Sequence, residues 1–260
     1  MLRKGDLTQG GITGTLLHFT LPMMVGSFLQ QCYNIADTLI VGQCIGAGAL
    51  AAVGSAYTLM VFLISVLLGL AMGSGTVFSL YYGAGNHVAL RRSIFSSFVL
   101  IGIVTLILNV AVFIWLDPIL RLLQVPQDIY GMMRSYLWII FCGIVFTFIY
   151  NFYASLLRAV GDSVTPLWFL AVSVVLNIAL DLFFILQLDW GIQGAAAATV
   201  LAQGVAALGI IIYTYRRRPE LRWHHEDMCF DRTCLKEIAS FSTLTCIQQS
   251  VMNLGILMVQ

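Results

Sequence analysis

Long apolar runs separated by short polar segments alternate along most of the chain. A membrane-spanning helix needs about 20 mostly apolar residues, and runs of that length recur. We predict six complete spans and the start of a seventh. The predicted bounds are 14–40, 50–82, 91–116, 129–157, 164–187 and 190–215, with the seventh span beginning near residue 233. The pattern therefore predicts an all-α integral membrane protein.

The boundary between the first two spans is the least obvious one. No Asp, Glu, Lys or Arg occurs between Thr38 and Leu90, and this interval is too long for a single span. The Gly- and Ala-rich stretch "GQCIGAGALAAVGSA" (Gly42–Ala56) is the place where a turn fits best. We therefore divide the two helices there.

Composition agrees with a membrane location. The 260 residues are 60% hydrophobic and only 10% charged, whereas a soluble domain is about one quarter charged. The net charge of +1 gives no strong attraction to nucleic acid. We predict a multi-pass protein in the lipid bilayer, with no nucleic-acid partner.

Basic residues predict the orientation, because Lys and Arg concentrate in cytoplasmic segments. With the N-terminus inside, the outer loops hold only Arg121 and Arg134. The inner segments hold the other basic residues: Arg3, Lys4, Arg91, Arg92, Arg158, Arg216, Arg217, Arg218, Arg222, Arg232 and Lys236. We predict a cytoplasmic N-terminus in a prokaryotic plasma (inner) membrane.

The longest polar connection divides the chain into three predicted parts. Residues 1–215 form an N-terminal six-helix lobe, 216–237 a cytoplasmic linker, and 238–260 the start of helix 7 of a second lobe. The seventh apolar run echoes the first, since each has a Gln-Gln pair followed by Asn. Because the sequence ends inside that run, we expect a longer protein whose C-terminal lobe is missing here.

Two carboxylates interrupt the apolar runs: Asp37 in the first span and Asp181 in the fifth. An ionisable side chain at bilayer depth costs roughly 2.5–3.5 kcal/mol on insertion scales, so such groups mark functional sites. Both spans run outward on the predicted topology, and both residues fall in the outer half. We predict that they share one outward-facing cavity and bind H⁺ or Na⁺. The alternative is that each is permanently neutral and bonded to a neighbour.

Other polar side chains occur at helical spacing around these acids. Asn177 precedes Asp181 by four residues, and Gln30, Asn34 and Asp37 form a stripe along one face of the first span. The remaining candidates are Thr199 and Gln203 in the sixth span, and Tyr136 and Asn151 in the fourth. Packing by interhelical hydrogen bonds is the alternative explanation for these neutral residues. Pro22 removes a backbone hydrogen bond from the first span, and we predict a hinge there.

Several stretches together resemble the multidrug and toxic compound extrusion (MATE) transporters, most of all their DinF-like branch. They are "GGITGTLLHFTLPMMVGSFLQQCYNIADTLIVGQCIGAGALAAVG", "LLRAVGDSVTP", "VLNIALDLFFIL" and "GIQGAAAATVLAQ". The resemblance implies a twelve-helix protein of two six-helix lobes, of which this chain is the first lobe plus the start of helix 7. It also implies antiport of amphipathic, cationic compounds against H⁺ or Na⁺, without a cofactor.

The resemblance also assigns roles to residues. It places Asp37, Asn177, Asp181 and Thr199 in the ion-coupling cluster, with Tyr136 and Asn151 as further members. Pro22 matches the proline at which the first helix is thought to bend when the site changes protonation. We expect Gln30 and Asn34 to contribute to the same ion-coupling or substrate-binding site.

Two other functions compete with drug export. A flippase for lipid-linked precursors would favour a basic cavity for an anionic headgroup, whereas the predicted cavity is acidic. A non-transporting membrane interaction protein would have no need for intramembrane acids. Enzyme activity is not predicted, since nothing in the sequence resembles a nucleophile–base pair or an open metal site.

Overall fold

Eight α-helices make up most of the part of the chain that the computed structural model describes, namely residues 12–122, 124–223, 227 and 232–259. They are α1 (Ile12–Cys44), α2 (Ala47–Gly83), α3 (His87–Leu122), α4 (Gln127–Cys142), α5 (Ile144–Ala159), α6 (Val164–Leu182), α7 (Gly191–Arg217) and α8 (Arg232–Val259). α6 continues as one π-helical turn, Phe183–Gln187.

The helix boundaries agree with the sequence pattern at most positions. Predicted spans 1, 2, 3, 5, 6 and 7 correspond to α1, α2, α3, α6, α7 and α8. The division inside the uncharged interval is confirmed, because α1 ends at Cys44 and α2 begins at Ala47. Gly46 between them has φ of 116°, a backbone conformation that glycine adopts without strain.

The fourth predicted span is wrong in one respect, because it is not a single helix over 129–157. α4 and α5 meet at a 47° bend, with Gly143 between them. A Cβ atom on Gly143 would lie 2.5–2.7 Å from the methyl carbons of Val200. The bend thus occurs where α7 packs directly against the glycine backbone, a contact that the hydrophobic pattern of one helix does not reveal.

Several of the described helices can cross a membrane by length and composition. α2, α3, α6 with its π-helical turn, and α7 each meet that description, and α4 with α5 meets it as one bent pair. This gives four or five spans among the described residues.

α7 lies at the centre of the bundle and packs against α4, α5 and α6. Its buried positions are mostly small, and small residues let membrane helices approach closely. They include Gly194, Ala195, Ala196, Ala198, Ala202, Gly204, Ala206 and Ala207. Larger side chains fill the space between α3 and α5, where Phe98, Phe148 and Phe152 form a ring cluster.

α8 packs along α2 in an antiparallel contact that we call the α2–α8 seam. A Cβ atom on Gly69 would lie 2.6 Å from Cα of Cys246, and one on Gly73 would lie 2.6 Å from the backbone nitrogen of Ser242. The hydroxyl of Thr245 donates to the carbonyl of Gly69 at 2.6 Å. The two backbones are therefore in direct contact, which only glycine permits at these positions of α2.

The two ends of the bundle differ in charge. The loops α2–α3, α5–α6 and α7–α8 lie at one end, which we call the basic end. Arg91, Arg92, Arg158 and Arg216–Arg218 lie near it. The opposite end, which we call the far end, carries the loops α1–α2, α3–α4 and α6–α7.

The segment after α7 folds back onto the basic end. Trp223 packs against the rings of Phe95, Phe98 and Tyr215. Asp227 accepts a hydrogen bond from Nε of Arg91 at 2.7 Å. This connection is therefore attached to the bundle at two points between α7 and α8.

Candidate functional site

The two intramembrane acids meet inside the bundle. Asp37 of α1 is 8% exposed and Asp181 of α6 is completely buried. Their carboxyl groups lie within hydrogen-bonding reach of each other. We call these two residues the acid pair. Two residues 144 positions apart in sequence thus form one polar group in an apolar bundle.

The end of α6 has an unusual backbone, because its π-helical turn starts two residues after Asp181. Such turns are rare and occur frequently at functional sites. Gly194 of α7 packs against this turn, and a Cβ atom there would lie 3.0 Å from Cβ of Phe184. The Phe184 ring in turn stacks on Trp190, with centroids 5.1 Å apart. These contacts hold the end of α6 against the start of α7.

Asn177 and Thr199 connect the acid pair to α7. Asn177 is completely buried. With its amide oriented so that both ends are satisfied, Nδ2 donates to Oδ2 of Asp181 at 3.0 Å, and Oδ1 accepts from the backbone nitrogen of Thr199 at 3.2 Å. The Thr199 hydroxyl also lies 3.3 Å from the amide. The i, i+4 spacing that predicted the Asn177–Asp181 contact therefore gives a real hydrogen bond.

Two tyrosines complete the surroundings of the acid pair. The hydroxyl of Tyr33, one turn before Asp37 on α1, lies 3.2 Å from the hydroxyl of Thr199. Tyr136 of α4 is buried and interacts electrostatically with both acids. Sequence reasoning selected Tyr136 but missed Tyr33. The signal was the i−4 position relative to Asp37, which the polar stripe concealed by favouring Gln30 and Asn34.

One oxygen on each acid has no protein donor. Oδ1 of Asp37 and Oδ1 of Asp181 are buried and accept no hydrogen bond from the described part of the chain. Carboxylate oxygens accept only, unless they carry a proton. Two buried carboxyl groups at hydrogen-bonding distance therefore need either a proton between them or a cation beside them. No group of three His, Cys, Asp or Glu in the described ranges is placed to hold a metal ion.

The structure does not bring Gln30 and Asn34 to the acid pair. Gln30 is exposed. Nδ2 of Asn34 donates to Oε1 of Gln31 at 3.2 Å, within α1. Their predicted role at the ion-coupling or substrate-binding site therefore stays a prediction, and the side chain by which α1 joins the cluster beside Asp37 is Tyr33.

Asn151 and Gln203 belong to a second polar group nearer the basic end. Nδ2 of Asn151 donates to the carbonyl of Thr147 at 2.8 Å, and the hydroxyl of Thr147 is hydrogen-bonded to Oε1 of Gln203. Asn151 is thus not brought to the acid pair either. Pro22 lies within α1, and the helix is continuous across it.

Comparisons with known proteins connect this arrangement to one family. The MatE family model matches residues 22–183. YpnP of Bacillus subtilis, a probable multidrug resistance protein, is 37% identical over 217 residues, covering 84% of this chain and 49% of that protein. The multidrug export protein MepA of Staphylococcus saprophyticus is 31% identical over 210 residues, covering 78% of this chain and 45% of that protein. The chain therefore spans about half the length of the curated relatives it matches.

A solved structure shares the fold. A multidrug resistance MATE family transporter of the MOP superfamily, in its outward-facing conformation, superimposes with a TM-score of 0.91 at 24% identity. The match covers 99% of this chain and 57% of that one. The helical arrangement described above is thus the arrangement of about half of such a transporter.

Proposed function

This chain belongs to the MatE family, and from that premise we propose that it forms the ion-coupling half of a multidrug exporter. In this proposal the full-length protein moves amphipathic, cationic compounds out of a prokaryotic cell, driven by inward movement of H⁺ or Na⁺. The second half would be a C-terminal six-helix lobe that begins with α8. Export of drugs is what the names of YpnP and MepA attribute to those relatives.

The observation that carries the proposal is the acid pair. Burying two carboxyl groups side by side costs free energy, and such a cost is usually offset at a site that uses it. Asn177, Thr199, Tyr33 and Tyr136 hold the pair in place without supplying a positive charge. A positive charge must therefore come from outside the cluster.

Either coupling ion fits the chemistry of the acid pair. A proton would allow one carboxyl group to donate to the other. Sodium prefers oxygen ligands, and the two unpaired Oδ1 atoms and the neighbouring hydroxyls are all oxygens. Binding of either ion neutralises charge in an apolar setting, which makes occupancy depend on the gradient.

Rocking-bundle alternating access would connect this binding to transport. Loading of the acid pair alters its contacts between α1 and α6, and Pro22 gives α1 a point at which to bend. A bend in α1 would displace the drug from the central cleft and permit the return to the inward-facing state. The basic end is cytoplasmic in this scheme, following the distribution of Arg and Lys.

The test is dye efflux from proteoliposomes that contain the full-length transporter, under separate H⁺ and Na⁺ gradients. We expect wild type to export a cationic dye under one gradient, and Asp37→Asn and Asp181→Asn to lose that export. Asp128→Asn is the matched control, because Asp128 is an exposed carboxylate in the first turn of α4. Export by both acid-pair variants at the wild-type rate would refute the proposed coupling site.

A second experiment concerns the missing half. Half of the transporter cannot enclose a central cleft, so vesicles that contain only residues 1–260 should not move the dye. Gradient-dependent dye movement by those vesicles would contradict the two-lobe proposal.

A further inference from the structure

The second polar group, Thr147 with Gln203 and Asn151, is separated from the acid pair by a small cavity. The cavity lies between α2, α4, α5 and α7, and its volume is about 20 Å³. Three of its lining residues are polar: Thr147, Thr199 and Gln203. The other lining residues are apolar.

This cavity has the size and the polar groups that a buried water needs. A water requires about 10–15 Å³ on this measure and two to four polar partners. Here the partners are two hydroxyl groups and one amide, contributed by two different helices. Gln203 already accepts from Thr147 through Oε1, so its NH₂ group can donate to a water beside it.

The same cavity touches the acid-pair cluster through Thr199. The Thr199 hydroxyl lies 3.2 Å from the hydroxyl of Tyr33, which stands one turn from Asp37. Tyr33, Thr199 and Thr147 all carry hydroxyl groups, which both donate and accept. The amides of Asn177 and Gln203 orient these hydroxyls, since a neutral amide does not readily exchange its protons along a chain.

We propose that Thr147, Thr199 and Gln203 bind a water molecule, and that this water begins a proton route from the acid pair to the basic end. This inference rests on the proposed function, with H⁺ as the coupling ion. In each transfer a hydroxyl oxygen accepts one proton while it passes its own proton on. The acid pair is left as a carboxylate, and one proton leaves toward the basic end.

α5 provides the continuation of the route. Thr147, Asn151, Ser155 and Arg158 occur at intervals of four, four and three residues, so they share one face of α5. Asn151 bonds to Thr147, and Ser155 accepts a hydrogen bond from Arg158 at 3.5 Å. From Thr147 to the end of α5 this row extends about 18 Å, at 1.5 Å per residue. Asn151, selected from sequence as part of the coupling site, would serve below the site instead.

A route through the helices of one half has a mechanistic consequence. The proton would leave without entering the cleft that holds the drug, so the two would not compete for one path. Variants along the route should therefore slow proton release without weakening drug binding.

The test uses two variants of the full-length transporter in proteoliposomes. Thr147→Val and Gln203→Leu remove the polar partners of the water at similar side-chain size. We expect H⁺-driven dye efflux to fall about tenfold, at or below the lower end of what positioned proton-transfer groups contribute. Dye affinity without a gradient should stay unchanged, as should the number of protons released per dye bound.

Two controls separate this role from a general loss of structure. Thr147→Ser keeps the hydroxyl group, so its efflux should stay close to wild type. Thr105→Val removes a buried threonine of α3 that bonds to its own helix at the Ile101 carbonyl, and it should be silent. A high-resolution structure should also contain an ordered water within hydrogen-bonding distance of Thr147, Thr199 and Gln203.

The outcomes distinguish the inference from the proposed function. If Asp37→Asn abolishes export while Thr147→Val and Gln203→Leu both export at the wild-type rate, the water route is refuted and the coupling site stands. Export driven only by Na⁺ also refutes the route alone. If the acid-pair variants export normally, the proposed function itself fails.

Discussion

The helices α1 and α2 follow each other in the chain and exceed thirty residues each, but they pack in different ways. Among the side chains of α1 that the structure describes, only Asp37 and Val41 are buried. Leu17, Leu21 and Phe28 are exposed by more than half. α2 contacts α3, α4, α5 and α8, whereas α1 packs mainly against α6.

This difference shows which helix can respond to an ion. α2 is held by backbone contacts that leave no space, as at Gly69 and Gly73. α1 is held by few buried groups, and one of them is a carboxyl group whose contacts depend on a bound proton or cation. A change at Asp37 therefore affects a large fraction of what fixes α1, while α2 stays in place as a support.

The largest effect is expected at the α2–α8 seam. Gly73→Val would place a branched side chain against the backbone of Ser242, and we expect the free energy of unfolding to fall by about 3 kcal/mol, the upper end for overpacking. Thermal melting of the purified full-length protein measures this change.

The control for the seam is another glycine of α2. Gly54→Ala adds a Cβ atom where nothing lies within 4 Å, and it should leave the melting temperature unchanged or raise it. Equal destabilisation by both variants would show that α2 is not held by the close contacts of its glycines.

A smaller effect, confined to transport, is expected in α1. Pro22→Ala restores a backbone hydrogen bond and stiffens the helix, so stability should not fall. Gradient-driven dye efflux should fall by roughly 2- to 30-fold, the range that corresponds to 0.5–2 kcal/mol of coupling. Pro118→Ala, in the other described helix that contains an internal proline, is the matched control and should export normally. Loss of stability without loss of efflux in Pro22→Ala would contradict a hinge in α1.

The smallest effect distinguishes the two polar faces of α1. Tyr33→Phe removes the hydroxyl that contacts Thr199, a loss of about 1 kcal/mol for one hydrogen bond. We expect the ion concentration for half-maximal efflux to shift about fivefold, which is what 1 kcal/mol gives. Gln30→Ala should not shift it, because Gln30 is exposed. The reverse result would restore the stripe of Gln30 and Asn34 as the coupling face.

The helices and the acid pair could be predicted because their signals are local and strong. Apolar runs fix the spans, glycines mark the turn near Gly46, and an acid in an apolar run is costly wherever the helix lies. The bend at Gly143 could not be predicted, because it depends on Val200 of another helix. The π-helical turn after Asp181 depends likewise on packing against Gly194 and Trp190. Tyr33 was overlooked because a tyrosine in an apolar run looks like a packing residue until its hydroxyl partner is known.

The attachment of the segment after α7 sets the length of the tether between α7 and α8. Residues 218–231 separate the two helices, and a free extended chain of that length would reach about 45–50 Å. The ring contacts of Trp223 and the ion pair of Asp227 with Arg91 shorten the unattached part to the five steps from Asp227 to Arg232, about 17 Å. While these contacts hold, the start of α8 can swing about the basic end but cannot slide away from it. The connection therefore acts as a pivot, and it turns separation of the two halves into rotation.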